Sequence, residues 1–152
     1  MPRSKRLVSS GCVLTLAILV TLAADANAAV ISWNNATGGN WTTASNWSPT
    51  VVPGESDDVV IDLAGTYSVT ASGSIGVQSL TIGAASGTQT LSGGATISIS
   101  GPSAVAGGTL GAQISGITLS GAGTFSVPAG ATLALQSCAM NGPLVNDGTL
   151  VL

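Results

Sequence analysis

The chain has 152 residues and fits one domain; three residues are Lys or Arg, six are Asp or Glu, and none is His. All three cations lie among the first six residues, so residues 7–152 carry only acidic charges. A surface without Lys or Arg excludes nucleic-acid and phosphate recognition, because both depend on cationic side chains.

Residues 1–28 have the three-part layout of a secretory signal peptide. The three cations come first, residues 13–24 form an uninterrupted apolar run, and residues 26–28 supply small side chains at the exit. The run is shorter than the roughly 20 residues that a transmembrane helix needs. We therefore expect a secreted or cell-surface protein, cleaved after Ala28. Cys138 is then the one remaining cysteine, and we interpret it as a small buried residue.

The next segment, residues 29–57, contains every tryptophan of the chain. We interpret it as an N-terminal cap, because the first coil of a repeat structure exposes a strand edge and an apolar cross-section that need covering. The alternative is a carbohydrate-binding module, in which exposed and coplanar indoles stack on sugar rings. The side chains concerned are Trp33, Trp41 and Trp47.

Four carboxylates lie close together where this segment ends. Such oxygens are ligands that calcium prefers, so a calcium site is one hypothesis, although the spacing differs from that of an EF-hand loop. The other interpretation, which we favour, is a polar strand face whose charges discourage aggregation. We therefore predict no cofactor. The four residues are Glu55, Asp57, Asp58 and Asp62.

From residue 58 to residue 152, short runs alternate aliphatic residues with Thr or Ser and are separated by Gly, Asn or Pro. A period of two is typical of strands with one buried face, and Gly, Asn and Pro are typical of turns. The predicted strands are residues 58–63, 66–70, 79–83, 88–93, 95–100, 116–121, 123–128, 131–136 and 148–152.

Residues 90–100 align with residues 118–128 at an offset of 28 residues. Internal similarity at such a period indicates a solenoid, in which stacked repeats bury a face that one repeat cannot bury alone. The sequence predicts an all-β, right-handed parallel β-helix of about three to four coils. An antiparallel β-sandwich is the alternative fold. The predicted stacked pairs are Leu91 with Leu119, Ile97 with Phe125, and Ile99 with Val127.

The spacing of Trp33, Trp41, Trp47, Pro53 and Asp58, followed by Gly-Thr-Leu strands, resembles the start of bacterial autotransporter-passenger-like β-helix surface proteins. The resemblance implies a structural or adhesive surface module without catalytic activity. Its partner would be a surface glycan or another component of the cell envelope. Proteins of this kind are much longer, and this chain stops within a strand pattern. We therefore expect either self-association through an open C-terminal edge or further repeats downstream.

Two other functions are alternatives on the residues alone. A polysaccharide-degrading β-helix needs a tuned acid or base, and residues 7–152 contain no His, Lys or Arg. Two carboxylates could serve in their place, but only Asp147 lies outside the acidic group that ends the cap region. An ice-binding surface would need ladders of threonines. The candidates for such ladders are Thr90, Thr96, Thr118 and Thr124.

Overall fold

The computed structural model describes residues 28–107 and 111–152. The predicted signal peptide therefore lies almost wholly outside the described residues. Apart from one 3-10 turn at Ala44–Asn46, all regular structure in these ranges is β-strand.

In chain order, the strands are short and closely spaced. They are β1 (Val30–Trp33), β2 (Gly39–Asn40), β3 (Trp47–Ser48), β4 (Asp58–Ile61), β5 (Tyr67–Ala71), β6 (Ser74–Val77), β7 (Ser79–Ile82), β8 (Gln89–Gly93), β9 (Thr96–Ile99), β10 (Ser103–Val105), β11 (Ala112–Ser115), β12 (Thr118–Ser120), β13 (Phe125–Val127), β14 (Thr132–Gln136), β15 (Ala139–Asn141), β16 (Leu144–Asn146) and β17 (Thr149–Val151).

The strands form three sheets that the chain visits in turn. Sheet A has the order β16-β13-β10-β7-β4-β1-β3, sheet B the order β17-β14-β11-β8-β5-β2, and sheet C the order β15-β12-β9-β6. Four successive coils, β4–β6, β7–β9, β10–β12 and β13–β15, each add one strand to every sheet, and all their pairings are parallel. The fold is therefore a β-solenoid of about four turns, as predicted, and not an antiparallel sandwich.

The register differs from the predicted one, because neighbouring coils are offset by 21 to 23 residues. Leu91 pairs with Ile114 in sheet B, and Ile97 pairs with Leu119 in sheet C. The predicted contact between Leu91 and Leu119 is wrong, since the two residues belong to different sheets.

The two similar segments do not stack on each other. Residues 90–100 begin in sheet B and residues 118–128 begin in sheet C, so they occupy different corners of the coil. Every corner joins two alternating strands through Gly, and this common local pattern produced the 28-residue similarity. The other predicted pairs, Ile97 with Phe125 and Ile99 with Val127, are wrong for the same reason.

Ladders of inward-facing side chains fill the solenoid. In sheet B, Val69, Leu91, Ile114 and Leu135 occupy successive rungs, and the first three are completely buried. Burying each aliphatic side chain of this size contributes about 1.5 to 3 kcal/mol. Because one coil alone leaves its ladder positions exposed, the stability of the fold comes from stacking.

The tryptophan-rich segment forms an irregular first coil. Strand β1 extends sheet A through its pairing with β4, and β2 extends sheet B through its pairing with β5. Strand β3 then turns back antiparallel along β1 and becomes the terminal strand of sheet A. Sheet C has no strand at this level and begins at β6. The segment is thus hydrogen-bonded onto the solenoid as well as packed against it.

Candidate functional site

The three tryptophans lie inside the first coil, each 1 to 2 % exposed. Trp33 and Trp47 meet edge to face with ring centroids 4.9 Å apart, and Trp41 meets Trp47 in the same way at 4.9 Å. A sugar-stacking platform requires exposed and coplanar rings. The structure has the opposite arrangement, so these indoles offer no face to a sugar.

An asparagine network holds the indoles in place. The Nε1 of Trp33 donates to the carbonyl of Asn35 at 2.7 Å. The side chain of Asn35 donates to Oδ1 of Asn46 at 2.9 Å, and the side chain of Asn46 donates to the carbonyl of Asn40 at 3.0 Å. The sequence reasoning missed this role, for which the only signal was the recurrence of Asn beside Trp.

Tyr67 completes the aromatic group although it lies beyond the predicted cap. Its ring stacks on that of Trp33 at 6.4 Å between centroids and 12° between planes. The hydroxyl is buried without a hydrogen-bond partner. Burial, with a smaller contribution from the nearby charge of Asp62, raises the pKa of Tyr67 to about 12, which a backbone group of Leu63 only partly offsets.

The four clustered carboxylates have separate local roles. Asp57 accepts a hydrogen bond from the backbone N–H of Gly54 at 2.8 Å, and Asp58 accepts one from the hydroxyl of Ser79. Nowhere in residues 28–107 and 111–152 do three His, Cys, Asp or Glu side chains come together as a metal site. The calcium hypothesis therefore has no ligand set among Glu55, Asp57, Asp58 and Asp62.

An open groove runs along the corner at which the chain leaves sheet C for sheet A. It crosses three coils and has a volume of about 330 Å³. The buried side chains of Val77 and Ile99 form its base, and Glu55 stands at its N-terminal end. The complete lining is Glu55, Gly76, Val77, Ser98, Ile99, Ser100, Gly121 and Ala122.

The lengths of successive corners explain why a groove lies here. Between β6 and β7 the corner is Gln78 alone, whereas residues 100–102 and 121–124 form the next two corners. On the other side, residues 49–57 make the long connection into β4. The second coil is thus recessed between two larger corners. The sequence reasoning did not find this groove, because it depends on which corners become neighbours.

The outer faces of sheets B and C carry small uncharged side chains. Ser98 and Ser120 lie next to each other on sheet C with their hydroxyl oxygens 3.2 Å apart, and Ser68 and Ser92 do the same on sheet B at 2.8 Å. The candidate ice-binding threonines do not form one ladder. Of these, only Thr96 and Thr118 are direct neighbours, whereas Thr90 lies beside Gln113 and Thr124 lies in a corner.

A buried amide occupies the corner between sheets A and B. Gln89 is completely buried, and its Oε1 accepts from the backbone N–H of Ala84 at 2.8 Å. Its Nε2 donates to the carbonyl of Gly65 at 2.6 Å. Since Gln89 has the same parity as Leu91 in the strand pattern, the alternation did signal an inward-facing residue there.

The last coil exposes apolar side chains that earlier coils bury. Val145 and Val151 are 47 % and 49 % exposed, and Leu152 is 93 % exposed. Cys138 lies beside them, partly rather than fully buried, and burial raises the pKa of its thiol. The structure therefore presents an apolar surface and open strand edges at this end of the solenoid.

Comparisons of the chain with protein-family models, with curated proteins and with solved structures gave no match. In the parts of the chain that the structure describes, no helix has the length and apolar character needed to cross a membrane. The β-solenoid class therefore follows from the sheet topology itself.

Proposed function

We propose that the chain is an exported structural or adhesive surface module without catalytic activity. The observation that carries this proposal is the outer face of sheet C, where uncharged polar side chains recur rung after rung. The two neighbouring columns are Ser74, Thr96 and Thr118, and Ser98, Ser120 and Asn141.

A neutral surface glycan is the partner that this face suits best. Hydroxyl and amide groups exchange hydrogen bonds with sugar hydroxyls, and no charged side chain on the face needs to lose its water on contact. The tryptophans take no part, because their rings are buried. The contact would thus be spread over a flat strand surface and weak at each rung.

A retention experiment tests the adhesive role. Beads coated with the chain are expected to be held on a neutral glycan film under flow. Thr96→Lys with Thr118→Lys places two long charged side chains on the face and should abolish retention. Thr81→Lys, on the outer face of sheet A, is the matched control and should leave retention unchanged. Equal retention by both variants would contradict the proposal.

Export is tested separately through the predicted leader. In a host with a general secretory pathway, the full chain should be released or displayed with Ala29 as its first residue, as read by mass spectrometry. A version lacking residues 1–28 should stay inside the cell. Release of an uncleaved chain would contradict the predicted processing.

We also propose that the apolar last coil pairs with the strand edge of a second copy. Open edges with exposed aliphatic side chains favour such pairing. Val151→Lys should therefore reduce self-association in sedimentation velocity, whereas Val51→Lys, at a 53 % exposed position in the first coil, should not. A wild-type chain that remains monomeric at high concentration would refute this part of the proposal.

A further inference from the structure

We propose that the corner groove binds a cationic side chain of a partner protein, with the aliphatic stem on the groove base and the charged head at Glu55. This inference goes beyond the proposed function and does not depend on it. The class of ligand follows from the charge of the chain, the shape of the groove and the surroundings of Glu55.

Glu55 provides the charge. It lies in the N-terminal wall of the groove, and no hydrogen bond to its side chain occurs within the described ranges. Residues 7–152 contain no Lys, Arg or His, so no side chain of that part of the chain can neutralise this carboxylate. The other three carboxylates of the segment are not in the groove lining. A ligand from outside is therefore required to pair with Glu55.

The groove base suits an unbranched aliphatic stem. Val77 and Ile99 supply apolar surface, and Gly76 leaves room above it. A Cβ added at Gly76 would lie 2.6 Å from Cγ of Glu55, so the glycine allows this carboxylate to reach over β6. Lys and Arg bury such a stem along apolar surface while their heads remain polar.

The length of the groove fits one side chain and its flanking backbone. Adjacent coils are about 4.8 Å apart, and the lining spans from the first coil to the fourth, which is roughly 14 Å. The hydroxyls of Ser98 and Ser100 line the middle of this path and offer acceptors to a peptide backbone. The side chain of Gln78 accepts from Ser100 at 2.9 Å and steadies that wall.

The test uses two capped tripeptides that differ in one charge, Gly-Lys-Gly and Gly-norleucine-Gly, titrated into the ¹⁵N-labelled purified chain. The lysine peptide should shift the amide signals of Gly76, Ser98, Ser100 and Gly121 and saturate. The norleucine peptide should bind about fivefold more weakly, the size of effect expected for an exposed ion pair. Equal binding of both peptides, or shifts centred elsewhere, would overturn the proposal.

Two variants locate the effect at Glu55. Glu55→Gln should remove the preference for lysine, whereas Asp147→Asn, which removes an exposed carboxylate from the last coil, should keep it. Gly76→Ala should also weaken lysine binding, because the added methyl displaces the Glu55 side chain. Amide spectra of the free variants establish that each is folded. A lysine preference that survives Glu55→Gln in a folded chain would refute the assignment, whatever the outcome of the glycan experiments.

Discussion

Trp47 donates a hydrogen bond from its indole Nε1 to the carbonyl of Trp41 at 2.7 Å, and the two rings also meet edge to face. One residue thus satisfies a buried backbone acceptor and fills the centre of the first coil. Edge-to-face pairs are worth about 0.5 to 1.5 kcal/mol beyond the area that they bury. Trp47 is therefore the main structural residue of this coil.

We expect Trp47→Ala to lower the free energy of unfolding by about 3 to 5 kcal/mol, because it leaves a large cavity and an unpaired carbonyl. Trp47→Phe keeps a ring but loses the donor, so its loss should be smaller. Urea unfolding followed by near-ultraviolet circular dichroism measures both. Val51→Ala, an exposed change in the same coil, should alter stability by less than about 0.5 kcal/mol. Similar losses for Val51→Ala and Trp47→Ala would contradict this role.

The register of the coils can be tested with engineered disulfides in a Cys138→Ser background. Ser98→Cys with Ser120→Cys should oxidise readily, because the two residues are direct neighbours in sheet C and parallel strands lie about 4.8 Å apart. Ser92→Cys with Ser120→Cys, which has the 28-residue offset, should not, because the residues lie in different sheets. Thiol titration and mass spectrometry distinguish the two. The reverse outcome would show that the register is wrong.

The buried amide of Gln89 should be essential to the corner that it occupies. Gln89→Leu leaves the Ala84 N–H and the Gly65 carbonyl without their side-chain partner, and we expect a loss of about 2 to 4 kcal/mol. Gln113→Leu, on the outer face of the next coil, should change stability by less than about 0.5 kcal/mol. Denaturant midpoints measured for both variants check this difference, and equal midpoints would argue against it.

Two adjacent glycines should respond differently to alanine. Gly93 has a φ of +125°, and a Cβ there would overlap the carbonyl oxygen of Ala71, whereas a Cβ at Gly94 meets nothing within 4 Å. Gly93→Ala should therefore cost more than about 2 kcal/mol, and Gly94→Ala should be close to neutral. Thermal unfolding of the pair provides the comparison. A neutral Gly93→Ala would mean that this corner has another conformation.

The raised pKa of Tyr67 predicts a loss of stability at alkaline pH. The folded state holds the phenol proton more tightly than the unfolded state, whose pKa is the ordinary value of 10.0. The contribution is therefore fully present below pH 10 and is lost as pH rises towards 12, by up to about 2 kcal/mol. Residues 29–152 have no Lys or Arg, so in a Cys138→Ser background Tyr67 is the one side chain that titrates there. Tyr67→Phe should remove the slope in pH-dependent unfolding and, because the hydroxyl has no partner, cost little at neutral pH.

The residue pattern alone was sufficient for the strands and for the direction in which their side chains face. Val69, Leu91 and Ile114 occupy alternating positions, and the structure buries all three. The same alternation could not determine which strand is the neighbour of β8, since any even offset preserves the inward side. The groove at Glu55 was hidden for a related reason, because it arises from unequal corners that meet only after stacking.

The sequence by itself determined a charge-poor chain of alternating strands and a concentration of indoles before them. These are local properties, set by side-chain chemistry and by the two-residue period of a strand. Only the tertiary structure decided that Ile97 lies on Leu119, that the tryptophans face inward and that Glu55 borders a groove. Those relationships depend on the lengths of all the corners together, because each corner sets where the next rung begins.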